Sequence, residues 1–199
     1  MKKQIPPKEL PLMIDEVMKG EKYYITSALA LEFQNLIDFG NVDFIEVCVD
    51  SKSDIKKLQS LEKYAAVTMK NIGGEILNGP VIVVHIGNTG DYRRLKYAGG
   101  FINLAVPERA IVDCLKKGGI WFMDEVEYPA LLRAHVDGIL NWKRIEKLAG
   151  KEGVSDELYA LVEFTRKESN IKIYIKTPAV ELELPNATLK GAIDEVIRY

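Results

Sequence analysis

The amino-acid sequence predicts an α/β (α+β) fold, with a mixed sheet, flanking helices, a helix-rich second half and a C-terminal β-hairpin followed by a helix. Three observations predict this fold. Residues 81–86 form a continuous apolar run bounded by glycine and proline, which is typical of an interior strand. Apolar residues recur at helical spacing in several segments after residue 107. Residues 171–175 and 180–184 alternate between apolar and polar, as in an antiparallel hairpin with one buried face.

The first half of the chain, residues 1–106, is predicted to be a mixed α/β part. Its helices show apolar residues three to four positions apart, and its strands are rich in β-branched and aromatic residues. The predicted helices cover residues 12–18, 26–37 and 53–64, and the predicted strands cover residues 42–49, 66–69, 81–86 and 101–106. Thr26 or Ser27 is expected to cap the second helix, and Ser53 the third. Residues 87–97 contain glycines and basic residues and are predicted to form a loop.

The second half, residues 107–199, is predicted to be a helical part with the C-terminal hairpin. Pro107 suits the first turn of a helix, and Gly118 and Gly119 end that helix. The predicted helices cover residues 107–117, 124–136, 141–149 and 155–166, with a last amphipathic helix over residues 189–197. A boundary after residue 106 is the favoured division, and one continuous domain is the alternative, because no long linker separates the two halves.

Composition excludes several classes of protein. The chain has 199 residues, 27 lysines and arginines, 29 aspartates and glutamates, and a net charge of −2, so it is not coated in positive charge for nucleic acid. It has no apolar run of membrane-spanning length and no signal peptide, which predicts a cytoplasmic protein. Two cysteines and two histidines make a disulfide scaffold or a zinc site unexpected, and we predict no cofactor and no metal. His85 and His135 are interpreted as structural or surface residues.

A first candidate site combines Thr26 and Ser27 with Asp43 and Glu46. A small capping pair followed by strand carboxylates is loosely similar to a nucleotidyltransferase site, in which a turn holds phosphate and carboxylates hold magnesium. However, Asp43 and Glu46 are an odd number of residues apart, which places them on opposite faces of a strand. We therefore interpret these residues as a helix cap and solvated charges. A nucleotide-binding enzyme, or a degenerate relative with a nucleotidyltransferase-like fold, is the alternative.

A second candidate site is the predicted loop over residues 87–97. Its cations Arg93, Arg94 and Lys96 alternate with Tyr92 and Tyr97, and tyrosines can stack on bases. Its glycines allow backbone amides to approach an anion. These residues form the only local patch compatible with nucleic acid or another anion. The alternative is a surface turn whose arginines lie in water or pair with nearby acids.

A third candidate is the helix that begins at Pro107. Glu108 in its first turn complements the positive end of the helix, and Arg109 and Asp113 are four residues apart. They are expected to pair on the surface, where such a pair contributes only about 0.3–0.5 kcal/mol. The predicted buried face consists of Ala110, Ile111, Cys114 and Leu115. By itself this pattern is that of a structural helix and requires no catalytic role.

Three stretches of the chain resemble the AbiE-type abortive-infection antitoxins. Residues 23–31 resemble the family's tyrosine and Ser-x-x-Ala-Leu helix, and residues 141–149 resemble its later helix with Asp or Asn before Trp. Residues 104–115 resemble its most distinctive motif, in which Pro-Glu-Arg is followed by an apolar pair, Asp and Leu. Pro107, Glu108, Arg109 and Asp113 match that motif. The order and spacing agree across residues 23–164.

This resemblance implies the antitoxin half of a two-protein phage-defence system, with a nucleotidyltransferase-like toxin as partner. Family members carry an N-terminal winged helix that binds the promoter of their own operon. Only 22 residues precede Tyr23, so that element is not expected in this sequence. The expected function is that of a non-enzymatic antitoxin-like or transcriptional regulatory protein, acting by protein or nucleic-acid contact. The family motif is assigned no catalytic role.

Overall fold

The computed structural model of the protein describes residues 9–38, 44–62, 64–68, 81–116, 126–169 and 172–173. The chain divides into two compact units. The first consists of Met1–Ala30 and Phe39–Val106, and the second of Leu31–Asp38 and Pro107–Tyr199. A mixed six-stranded sheet with flanking helices confirms the predicted α/β class.

The six-stranded sheet lies in the first unit. Its strands are β1 (Tyr23–Ile25), β2 (Phe44–Val49), β3 (Ala65–Thr68), β4 (Val81–Ile86), β5 (Tyr92–Tyr97) and β6 (Gly100–Ala105). The spatial order is β3-β4-β2-β1-β6-β5. Strand β4 is parallel to β2 and β3, β1 is antiparallel to β2 and parallel to β6, and β5 is antiparallel to β6. The bounds of β4 are those predicted, whereas β1 was not predicted, because three residues are too few to show a period.

Two helices of the first unit pack against the sheet. Helix α1 (Leu10–Val17) contacts β6, and helix α3 (Lys52–Gln59) contacts β2, β3 and β4. The cap of α3 is Ser51, so the prediction of Ser53 was wrong. The carboxylate of Asp54 accepts hydrogen bonds from the backbone N–H of Ser51 at 3.1 Å and from its hydroxyl at 2.8 Å. This local pairing starts α3 one residue earlier than predicted, and the helix ends five residues earlier.

Helix α2 (Ser27–Glu32) is shorter than the predicted helix over residues 26–37. Asn35 adopts a left-handed conformation with a φ of 58°, which an α-helix cannot continue through. The N–H of Leu36 then donates to the carbonyl of Leu31 at 3.0 Å, in a turn that closes the helix end. The apolar residues after Glu32 therefore follow helical spacing without being helical.

Among the residues that the structure describes, the second unit contains four further helices. They are α4 (Pro107–Leu115), α5 (Glu127–Val136), α6 (Trp142–Glu152) and α7 (Ser155–Ser169). Asn141 caps α6 by accepting from the N–H of Arg144 at 3.1 Å, and Gly153 ends it with a φ of 72°. Apart from residues 172 and 173, the predicted hairpin and the last predicted helix lie outside the described residues. No helix in the described ranges is both long and apolar enough to cross a membrane.

Candidate nucleic-acid interface

The three cations Arg93, Arg94 and Lys96 lie on strand β5, so the prediction of a loop over residues 87–97 was wrong for residues 92–97. Strands β5 and β6 form a hairpin in which Tyr97 pairs with Gly100. The two residues between the strands, Ala98 and Gly99, have φ values of 44° and 86°. A positive φ at both central positions is the condition for the tight turn whose twist matches a hairpin.

The hairpin is an edge of the sheet and exposes all three cations. Side chains alternate along a strand, so Arg94 and Lys96 share one face and Arg93 points to the other. Lys96 pairs in register with Phe101, which is 51% exposed. The sequence contains no acidic residue from Tyr92 to Val106. The hairpin is therefore a locally cationic surface that also exposes aromatic area, on a chain whose net charge is slightly negative.

Aromatic rings support this surface on the face that Arg94 and Lys96 share. The Arg94 guanidinium lies over the Phe101 ring, 5.8 Å from its centroid. Tyr92, at 37% exposure, stacks on the buried Tyr24 of β1 with ring centroids 6.1 Å apart and planes 18° apart. Tyr24 lies on β1, two strands in from the edge strand β5. Its ring therefore anchors Tyr92 to the interior of the sheet. The sequence indicated the tyrosines of this patch, but it did not indicate Phe101.

Arg94 is held by a carboxylate of helix α1. Its Nη1 donates to Oδ1 of Asp15 on helix α1, and its Nη2 donates to Oδ2 of the same side chain at 2.7 Å. Burial raises the pKa of Asp15, but hydrogen bonds from Arg94 and Tyr23 outweigh it, so the pKa lies below its ordinary value. The charge of Arg94 is thus largely matched within the fold. Asp15 is 79 residues away in sequence, and no local signal could have identified it.

The Pro-Glu-Arg segment that opens helix α4 contributes to a buried ion-pair network. Arg109 is 2% exposed and pairs with Asp113 at 2.7 Å and with Glu152 of helix α6 at 2.5 Å. Lys116 adds contacts to Glu152 at 2.6 Å and to Asp113 at 3.3 Å. The predicted pairing of Arg109 with Asp113 is present, but its predicted location on the surface was wrong. Every residue of α4 is buried, because the helix contacts α5, α6 and α7 instead of presenting one face to solvent.

Glu108 in the same motif has a specific structural partner. Its Oε1 accepts a hydrogen bond from the backbone N–H of Asn141 at 2.8 Å, and Asn141 is the residue that caps helix α6. Glu108 and Arg109 therefore bind opposite ends of the same helix: Glu108 holds the start of α6, and Arg109 holds Glu152 at its last residue. The two charged residues fix the position of α6 against α4.

The first candidate site is arranged differently from its prediction. Glu46 was interpreted as a solvated charge, but it is 3% exposed, and its Oε2 lies 2.5 Å from Nε2 of His85 on the neighbouring strand β4. Asp43 lies outside the described residues. Thr26 and Ser27 are both buried, and Ser27 adopts a φ of 55°. The partner of Glu46 could not be predicted, because it lies 39 residues away on a different strand.

A carboxylate beside an imidazole is a pair that can transfer a proton, and Glu46 and His85 form such a pair. Within the described ranges, no three histidine, cysteine, aspartate or glutamate side chains are arranged to hold a metal ion.

His135, the other histidine, accepts from Nε1 of Trp142 at 3.3 Å and contacts the carbonyl of Lys172 at 3.2 Å. The Trp142 hydrogen bond requires Nδ1 of His135 to be unprotonated, so Nε2 donates to that carbonyl.

Comparisons of this chain with protein-family models, with curated proteins and with solved structures found no match. The resemblance to the AbiE-type antitoxins therefore depends on the sequence motifs alone.

Proposed function

We propose that this protein is a non-enzymatic regulatory protein, similar to the AbiE-type antitoxins, that contacts nucleic acid through the β5–β6 hairpin. The observation that carries the proposal is the exposure of Arg93, Arg94 and Lys96 on one edge hairpin. Lys96 and Phe101 are paired in register, so a cation and an exposed ring stand side by side. No acidic residue interrupts the hairpin sequence.

The physical basis is the combination of charge and aromatic area. Lysine and arginine bind phosphates and release counterions, which supplies most of the affinity for nucleic acid and makes that affinity depend on salt. Exposed aromatic rings stack on unpaired bases, at about 1–3 kcal/mol per base. Phe101 and Tyr92 lie on the same face as Lys96, which favours a single-stranded ligand. Because the net charge of the chain is −2, the attraction is local to the hairpin.

The proposal extends to the biological setting that the sequence motifs imply. The protein would act in the cytoplasm, as one half of a phage-defence toxin–antitoxin pair, beside a nucleotidyltransferase-like toxin. The support is the order and spacing of the three motifs over residues 23–164. Co-expression with the product of the adjacent gene tests this part. Absence of a nucleotidyltransferase-like neighbour, or failure of the two proteins to co-purify, would count against the toxin link.

Fluorescence anisotropy tests the nucleic-acid proposal. Labelled single-stranded DNA, single-stranded RNA and duplex DNA are titrated with protein at several salt concentrations. The variant R93A/K96A removes two exposed cations and leaves Arg94, which is tied to Asp15, in place. We expect weaker binding and a shallower salt dependence of log K. Each phosphate contact on a single strand contributes about 0.7, so the slope should fall by about 0.7 if the ligand contacts only the face of Lys96, and by about 1.4 if it also contacts Arg93 on the other face.

The matched control is K143A/K147A, which removes two exposed lysines from helix α6 and changes the net charge by the same amount. This control should leave both the affinity and the salt slope unchanged. Equal losses in the two double variants would mean that the attraction is diffuse and that the hairpin is not the interface. Absence of measurable binding at low salt to any of the three ligands would refute the proposal. Stronger binding to duplex DNA than to either single strand would contradict the expected preference for a single-stranded ligand.

A further inference from the structure

The side chain of Asp15 occupies a site built from hydrogen-bond donors. Both terminal nitrogens of Arg94 donate to its carboxylate, and so does the hydroxyl of the buried Tyr23. A guanidinium that binds a carboxylate through two parallel hydrogen bonds presents the same geometry to a phosphate group. The donors around Asp15 therefore form an oxyanion site that is filled from within the chain.

Asn103 on strand β6 positions both donors of this site. Its Oδ1 accepts from Nη1 of Arg94 at 3.0 Å, and its backbone N–H donates to the hydroxyl of Tyr23 at 3.4 Å. Asn103 also pairs in register with Arg94 across the hairpin. The arginine and the tyrosine are thus held by the sheet itself and do not depend on the carboxylate alone for their placement.

The oxyanion site opens onto the surface that we assign to nucleic acid. Arg94 is 49% exposed, whereas Asp15 is 20% exposed. Arg94 shares its face with Lys96 and Phe101, which are both exposed. Solvent and dissolved anions therefore reach the Arg94 guanidinium while Asp15 is in place.

We infer that Asp15 is an internal competitor: its carboxylate occupies the position in which Arg94 would bind a phosphate of nucleic acid, and it thereby limits the affinity of the hairpin. This inference rests on the proposed function. A competitor role and a purely structural role of the ion pair predict opposite changes in nucleic-acid affinity when the pair is removed. A structural tie supports the hairpin, so its loss weakens binding, whereas the loss of a competitor strengthens binding.

The test is the variant Asp15→Asn, which keeps the size of the side chain and removes its charge. We expect the salt slope of single-stranded DNA binding to become steeper by about 0.7, because one more phosphate contact forms. The ratio of the D15N affinity to that of the unmodified protein should then increase about two- to threefold when the salt concentration is lowered from about 200 to about 50 mM. The matched control is Glu16→Gln, the same change of charge at the exposed neighbouring residue of α1, which should leave the slope unchanged.

The outcomes separate this inference from the proposed function. If the R93A/K96A variant weakens binding but D15N binds no better than the unmodified protein, the competitor role is refuted and the nucleic-acid interface stands. If neither the unmodified protein nor D15N binds any oligonucleotide, both fail. Equal gains in D15N and E16Q would also refute the competitor role, since charge alone would then explain the effect.

A second measurement covers the case in which D15N is poorly folded. Thermal unfolding is followed with inorganic phosphate as the probe, against chloride at equal ionic strength. Phosphate should raise the melting temperature of D15N and leave that of the double variant D15N/R94Q unchanged, because the latter lacks the guanidinium. A shift of equal size in both variants, or no shift in D15N, would refute a phosphate site at Arg94.

Discussion

The buried ion pair between Arg109 and Asp113 leads to a prediction about the stability of the second unit. The same chain contains an exposed pair with the same chemistry and the same spacing, Arg133 and Asp137 on helix α5. The buried pair has side-chain exposures of 2% and 7%, and the exposed pair of 45% and 39%. Replacing each arginine by methionine, which keeps most of the aliphatic side chain, therefore compares a buried arginine, which also binds Glu152, with an exposed one.

The expected magnitude follows from what Arg109 leaves behind. Removing one partner of a buried pair costs about 3–5 kcal/mol, because the other charge stays buried without compensation. Lys116 remains near Asp113 and Glu152 and is 30% exposed, so it offsets part of this loss. We therefore expect R109M to lower the free energy of unfolding by about 3 kcal/mol. For R133M we expect about 0.3–0.5 kcal/mol, the usual contribution of an exposed helical pair.

Urea-induced unfolding, followed by tryptophan fluorescence and by circular dichroism, provides the measurement. Both tryptophans lie after residue 107 in the sequence, so fluorescence reports on the second unit. The double variant R109M/D113L should recover part of the stability, because it removes a buried carboxylate that has lost Arg109. A loss of stability in R109M no larger than that in R133M would refute the reasoning, and so would a double variant less stable than R109M.

Two other predictions concern acid stability and the packing of the hairpin. Burial raises the pKa of Glu152, but hydrogen bonds from Lys116 and Arg109 outweigh it, and the pKa lies below its ordinary value of 4.5. Because the pKa is lower in the folded state, the ionised Glu152 stabilises the fold above pH 4.5, and this contribution is lost as the pH falls further. E152Q should therefore make the free energy of unfolding depend less steeply on pH in this acid range, as measured by unfolding at several pH values. An unchanged dependence on pH would contradict this prediction. In the first unit, a Cβ at Gly100 would lie 2.7 Å from Cδ2 of Leu12. G100A should therefore lower the melting temperature, at a cost of about 1 kcal/mol in the free energy of unfolding. The double variant G100A/L12A should lose less stability than the sum of the losses in G100A and L12A, because L12A removes the clash. Strictly additive losses would contradict the contact.

The sequence alone identified the elements whose determinants are local. Strand β4 has the predicted bounds because a continuous apolar run between glycine and proline marks an interior strand at both ends. Helix α6 begins at Trp142, one residue after its predicted start, because Asn141 caps it within the first turn. Strand β5 was missed, because an edge strand exposed to solvent carries too many polar residues to show an apolar period. The turn that follows it, Ala98-Gly99, was the signal that could have indicated a hairpin.

The tertiary structure decided which charges are buried and what they bind. Glu46 meets His85 across 39 residues, Arg109 meets Glu152 across 43, and Arg94 meets Asp15 across 79. In sequence, each of these residues has the pattern of a solvated charge, because caps and helical spacing describe neighbours within about four residues. Burial of a charge depends on a partner brought close by the fold. The local pattern therefore indicated elements such as β4 and α6, and long-range packing determined that Arg109 is structural while the hairpin cations face solvent.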